Sequence, residues 1–179
     1  MNTLVIHPKD TTTDCLSVIY EDRGWDVIRN PETPDEVVVR EIKSHDRIIM
    51  LGHGTPYGLL AALGGFQFGR YIINYLHAPL LKEKETYSIW CHSDKFFRHY
   101  GLKGFHTGMI ISETSEEYYI FKGRVPLDVD AMAKNMELFC GTCAKYIDLS
   151  PEEAQKKILE EYVGDDEVTQ YNRENILVL

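Results

Sequence analysis

Two side chains in this sequence could together carry out nucleophilic catalysis: the imidazole of His53 and the thiol of Cys91. Nucleophilic cysteine catalysis needs a thiol beside an imidazole, because the histidine takes the thiol proton or stabilises the thiolate. Each residue follows a short apolar run. Arg47-Ile48-Ile49-Met50-Leu51 stops at Gly52-His53-Gly54, and Tyr87-Ser88-Ile89-Trp90 delivers Cys91. Read as neighbouring strands of a parallel sheet, about 4.8 Å apart, the two runs bring those side chains within reach of each other. Ligands of open parallel sheets bind outside the carboxyl ends of the strands, which is where both residues fall. Gly54 lets backbone approach a substrate closely, and its N–H, with that of Cys91, forms a candidate oxyanion-binding pair. A helix starting near Ser93 would aim its positive end at Cys91 and favour the thiolate. The Asp94 carboxylate works against that effect.

Elements able to position this pair can be read along the chain. Leu4-Val5-Ile6 is a predicted strand ending at His7-Pro8. Residues 12–23 form a predicted helix closed by Gly24, and Trp25-Asp26-Val27-Ile28 a second strand. Thr33-Pro34-Asp35-Glu36 is a helix start, with Thr33 as cap and Pro34 in the first turn. A Gly-rich connection over residues 55–69 precedes a predicted helix carrying Tyr71, Ile72, Tyr75 and Leu76, ended near Pro79. Ser93 or Asp94 caps a helix running to Tyr100, with Gly101 at its end, and residues 106–111 form a fifth strand. Thr114 and Glu117 are a candidate capping pair. The run Tyr118-Tyr119-Ile120-Phe121 is too short for periodicity to separate helix from strand. Two helices follow, over residues 128–147 and from Ser150 to Gly164, then an acidic loop at residues 164–167 and a possible edge strand at Ile176-Leu177-Val178-Leu179. Strands alternating with helices imply parallel strands joined by crossovers. The expected fold is one α/β domain over residues 1–179, a three-layer α/β/α sandwich with a mostly parallel sheet of five to six strands.

An apolar strand ending in His-Gly, followed by a second apolar strand ending in Cys, resembles the caspase-like cysteine peptidases, a group that includes caspases, legumains, gingipains, clostripains and CHAT domains. The residues that carry the resemblance are Ile48-Ile49-Met50-Leu51-Gly52-His53-Gly54 and Tyr87-Ser88-Ile89-Trp90-Cys91-His92-Ser93, and as an order of elements it spans residues 1–112. The resemblance implies that His53 is the general base or acid, Cys91 the nucleophile and Gly54 part of the oxyanion hole. It also implies a peptide or protein substrate cleaved through an acyl-thioester. Trp90 stands where members of the group often carry a small residue. Asp10, Asp26 and Glu113 are expected near the site, where they would favour a basic substrate side chain. Two other expectations fit the same residues. One is a caspase-like or flavodoxin-like binding or regulatory module without activity. The other is a buried, inert Cys91 beside an incidental His53.

Composition narrows the partners. The formal net charge of −9 repels phosphate backbones and anionic lipid, so neither nucleic acid nor membrane is an expected partner. Apolar runs fall far short of the roughly 20 residues of a membrane span. Met1-Asn2-Thr3 leads into Leu4-Val5-Ile6 without the pattern of a signal peptide, so a reducing, cytoplasmic setting is expected. There the four cysteines, Cys15, Cys91, Cys140 and Cys143, are not expected to form a disulfide framework. Cys140-Gly141-Thr142-Cys143 has the C-x-x-C form of redox motifs but falls inside a predicted helix, which favours packing. Cys91 and Arg98 are too far apart for a C-x5-R phosphate loop. His92, His99 and His106 match no zinc spacing. Gly64-Gly65 and Gly52-His53-Gly54 complete no nucleotide-binding motif. No metal and no other cofactor is expected.

Overall fold

The computed structural model describes residues 1–61 and 70–179. The Gly64-Gly65 pair lies outside the described residues. Strands β1 (Thr3–Ile6), β2 (Asp26–Ile28) and β3 (Arg47–Leu51) come first, with a 3-10 helix (Asp14–Ile19) between β1 and β2 and helix α1 (Asp35–Ser44) between β2 and β3. A small antiparallel sheet follows, made of β4 (Gly54–Thr55), β5 (Gly58–Leu60) and β6 (Tyr71–Ile73), then α2 (Ala78–Leu81), β7 (Glu85–Ile89), α3 (Ser93–Tyr100) and β8 (Phe105–Thr107). Helices α4 (Thr114–Ile120), α5 (Val129–Tyr146), α6 (Pro151–Glu161) and α7 (Glu167–Glu174) lead to β9 (Ile176–Val178).

The main sheet has six strands in the order β2-β1-β3-β7-β8-β9. All neighbours are parallel except β9, which runs antiparallel to β8. Successive residues of the central strands point to opposite faces. Val5, Ile49, Leu51, Tyr87 and Ile89 pack with the 3-10 helix, α5 and α6, whereas Leu4, Ile6, Ile48 and Met50 pack with α1, α2, α3 and the small sheet. Both faces of β1 and β3 are therefore dry, which explains their unbroken apolar runs. The architecture is the expected three-layer α/β/α sandwich.

Several local expectations are corrected. Residues 12–23 hold one 3-10 helix instead of a longer α-helix. Tyr71-Ile72-Ile73 pair with β5 as a strand, because Ile72 and Ile73 are both buried and give no single helical face. Thr33 does not cap α1; its hydroxyl donates to the Asn30 carbonyl at 2.7 Å. The capping box of α4 is Glu113 with Glu116, not Thr114 with Glu117, and it makes the tyrosine run helical. The acidic segment contains a helix start, since the Asp166 carboxylate accepts the Thr169 N–H at 2.7 Å and opens α7.

Central and edge positions should respond differently to truncation. Ile49→Ala empties a site with no solvent exposure and is expected to cost about 2–5 kcal/mol in urea unfolding. Val27→Ala, on edge strand β2 with its side chain 38% exposed, is expected to cost under about 1 kcal/mol. Equal losses would show that β3 is not the sheet's buried centre.

Candidate active site

The exits of β3 and β7 are locked together. Leu51 faces Ile89 in register, and one step further the Gly52 N–H donates to the Ile89 carbonyl at 3.1 Å. His53 and Cys91 each lie two residues beyond the paired Leu51 and Ile89, so both leave the sheet at the same rim. They line one open cavity of about 640 Å³ together with Pro8, Asp10, Thr12 and Glu113. This cavity also spans the crevice between β1 and β3, from which the chain departs in opposite directions, as ligand sites of such sheets do.

His53 is held from β1's side. Its Nε2 lies 2.6 Å from the Thr12 hydroxyl oxygen, and that hydroxyl donates to the Asp10 carboxylate at 2.7 Å. A hydroxyl has one proton and a carboxylate donates none. Thr12 therefore accepts from His53 and Nε2 carries a hydrogen, which leaves the lone pair on Nδ1 whenever the ring is neutral. The Thr12 N–H also donates to Asp10 at 2.9 Å, an Asx-turn that fixes both residues.

A second chain of bonds anchors that turn. The Arg29 guanidinium, which can only donate, lies 2.7 Å from His7 Nδ1 and bonds the Tyr20 hydroxyl and Asp14. His7 Nδ1 therefore accepts, and Nε2–H donates to the Thr13 hydroxyl at 3.2 Å. Thr13 in turn donates to the Asp10 carbonyl at 3.4 Å. Burial, reinforced by Arg29, pushes the His7 pKa down from 6.5 to about 4.

Cys91 is held differently. Its thiol donates to the Ile110 carbonyl at 3.8 Å. Burial, and then the Glu116 carboxylate, push its pKa up to about 11, so the resting group is a neutral thiol. The start of α3 does not overcome burial and the Glu116 charge. His92, beside it, takes a left-handed backbone at φ 68°, a conformation that is costly outside glycine. Gly54 has a steric reason to be glycine: a Cβ there would lie 2.0 Å from Trp90 Cδ1. The Trp90 indole N–H donates to the Thr55 carbonyl at 3.3 Å, and its ring packs among Phe96 and Phe97. The large residue before Cys91 thus fills the second core and clamps the His53-Gly54 turn.

The structure gathers Asp10, His53, Gly54, Cys91 and Glu113 around the cavity and leaves Asp26 out. Asp26 opens β2, on the amino rim, where its carboxylate lies 2.9 Å from His45 Nε2; parallel pairing with β1 puts a strand's first residue opposite the site. Sequence reasoning missed Thr12, Glu116 and Met109. Only Thr12 carried a local signal, the Asp-x-Thr spacing of an Asx-turn. His106 is buried and stacked on Phe97, and His99 meets Tyr100 edge-on. Among the described residues, no three His, Cys, Asp or Glu side chains cluster as a metal site would. Cys140 and Cys143 are buried in α5, as packing requires. No helix among the described residues is long and apolar enough to cross a membrane.

No protein-family model matches the chain, and no curated protein matches it either. The geometry of the rim therefore carries the functional argument.

The His7 network has a measurable cost in acid. An unfolded histidine binds a proton near pH 6.5, whereas folded His7 does so only near pH 4. The unfolded state binds more protons between these values, so stability falls as pH drops through that window. The expected loss is about 3 kcal/mol, and a His7→Gln variant, weaker at pH 7, should show a flatter profile in denaturant titrations. Parallel profiles would contradict the assignment.

Proposed function

We propose that this chain is a caspase-like cysteine peptidase, with Cys91 as nucleophile and His53 as general base and acid. The observation that carries the reading is the delivery of both side chains to one open cavity, with His53 fixed so that Nδ1 keeps its lone pair. Cys91 Sγ adds to the scissile carbonyl carbon while its proton passes to His53 Nδ1. The N–H groups of Gly54 and Cys91 serve as donors to the oxyanion. Collapse expels the amine, which takes the proton from His53 and leaves an acyl-thioester. Water, deprotonated by His53, then releases the acid and restores the thiol. With the resting thiol pushed up to about 11, no thiolate–imidazolium pair is preformed, and proton transfer accompanies attack. Asp10, Glu113 and Glu116 line the cavity, with no lysine or arginine among its described lining residues. This sign of charge favours a substrate with a basic side chain.

The neutral, hydrogen-bonded state of Cys91 favours a second reading, a binding module that holds a basic peptide segment in the same cavity without cutting it. An acyloxymethyl-ketone peptide with lysine or arginine next to the reactive group separates the two. Covalent labelling of the native chain, lost in Cys91→Ala, is the outcome the peptidase reading expects. Thr12→Val should slow labelling on the order of tenfold or more by releasing the imidazole, and Thr12→Ser should restore most of it. A native chain that binds a fluorescent basic peptide yet is never labelled would overturn the peptidase in favour of the module.

A further inference from the structure

Residues 108–113 follow β8 and belong to no strand or helix, yet with Thr107 they carry the turn that presents Cys91. The Thr107 hydroxyl donates to the Trp90 carbonyl at 3.0 Å, and the Thr107 N–H donates to the Ser93 hydroxyl at 2.8 Å. One step on, the His92 N–H donates to the Gly108 carbonyl at 3.1 Å, and the Cys91 thiol donates to the Ile110 carbonyl. A buried backbone without a ladder needs other partners, and α7 with the residue after it supplies them. The Gly108 N–H donates to the Asn175 carbonyl at 2.9 Å. The Ile111 N–H donates to Asn172 Oδ1 at 2.7 Å, and Asn172 Nδ2 donates to the Ile111 carbonyl at 2.9 Å. One side chain thus pairs both backbone groups of Ile111, as a neighbouring strand would. Its other amide hydrogen goes to the Tyr162 hydroxyl at 3.2 Å, which itself donates to Asn135 at 2.7 Å. Asn172 and Ile111 both have no solvent exposure, so water cannot stand in for this pairing.

We propose that Asn172 is a positioning residue for the nucleophile, acting on Cys91 through the peptide plane between Ile110 and Ile111. The Ile110 carbonyl and the Ile111 N–H belong to one planar trans peptide and point in opposite directions. Asn172 holds the N–H, so the carbonyl is aimed the other way, at the Cys91 sulfur. Without Asn172 the plane is free to turn, two buried backbone groups lose their partner, and the sulfur loses its fixed direction. Small misplacements of a reacting atom cost catalysis heavily. Asn172 itself does not line the cavity. It stands 61 residues from Ile111, in a helix beyond the span of the caspase-like resemblance, so the last part of the chain serves the rim built by the first. The hold on the thiol stands on the hydrogen bonds alone; its consequence for catalysis rests on the peptidase reading.

The test compares Asn172→Ala with Val168→Ala, which removes buried methyl groups from the same helix and leaves the Ile111 pairing in place. The first readout is the infrared S–H stretch of Cys91, taken as the difference between each chain and its Cys91→Ala counterpart. The native and Val168→Ala chains are expected to show one hydrogen-bonded band at lowered frequency. In Asn172→Ala the band is expected to broaden and move to higher frequency. The second readout is labelling of Cys91 by the ketone probe. It is expected to slow on the order of tenfold or more in Asn172→Ala and to stay near the native rate in Val168→Ala. An unmoved band in folded Asn172→Ala, or equal slowing in both variants, would overturn the proposal. A moved band with native labelling overturns its catalytic consequence. Should Asn172→Ala not fold, hydrogen exchange of the Ile111 N–H in the native chain decides: an amide among the slowest is expected, and exchange as fast as a surface loop overturns the proposal. A native chain that is never labelled overturns the peptidase reading, while the S–H band still decides the hold on the thiol.

Discussion

Leu51 and Ile89 face each other across two parallel strands whose side chains are dry on both faces, and the Gly52 N–H carries their ladder one step beyond the sheet. A slip of one residue would turn every side chain of a strand to the other face. Here it would drive the contents of each core into the opposite one, so the register has no cheap alternative. His53 and Cys91 inherit that certainty. Neither is placed by its own contacts alone; each is carried to the rim by a strand that cannot move.

Around this rim, groups sit in states they would not choose in water. His7 is kept neutral so that it can accept from Arg29 and donate to Thr13. Cys91 is kept as a thiol by burial and by Glu116. His92 occupies a left-handed backbone at the head of α3, and Trp90 presses where a Cβ on Gly54 would have to be. Such departures persist only where surrounding packing over-determines them. The two cores on either face of the sheet supply that packing. The bonds from Arg29 through His7, Thr13, Asp10 and Thr12 then convert a stiff sheet edge into a fixed imidazole.

The sheet was legible because strands buried on both faces leave mainly apolar runs, as in Ile48 to Leu51 and, broken only by Ser88, Tyr87 to Trp90. The residues just past those runs, His53 and Cys91, could therefore be placed without any structural knowledge. Tyr71 to Ile73 misled because three apolar residues carry no period. Asp26 misled because direction matters: in a parallel sheet the first residue of β2 lies at the far rim, whatever its charge. Thr12 was hidden in a run of threonines that reads as a helix start, and its value comes from a partner 41 residues away. The state of the Cys91 thiol was legible in one part only, the adverse helix-start carboxylate at Asp94. Its main causes, burial and Glu116, are tertiary.

Proton transfer from Cys91 depends on which nitrogen of His53 holds the hydrogen. Nitrogen-15 NMR of the histidine-labelled chain at neutral pH reads this directly. A protonated Nε2 and a bare Nδ1, whose resonance moves when Cys91 is alkylated, is the result this structure requires. A protonated Nδ1, or a ring indifferent to the modification of Cys91, would contradict it.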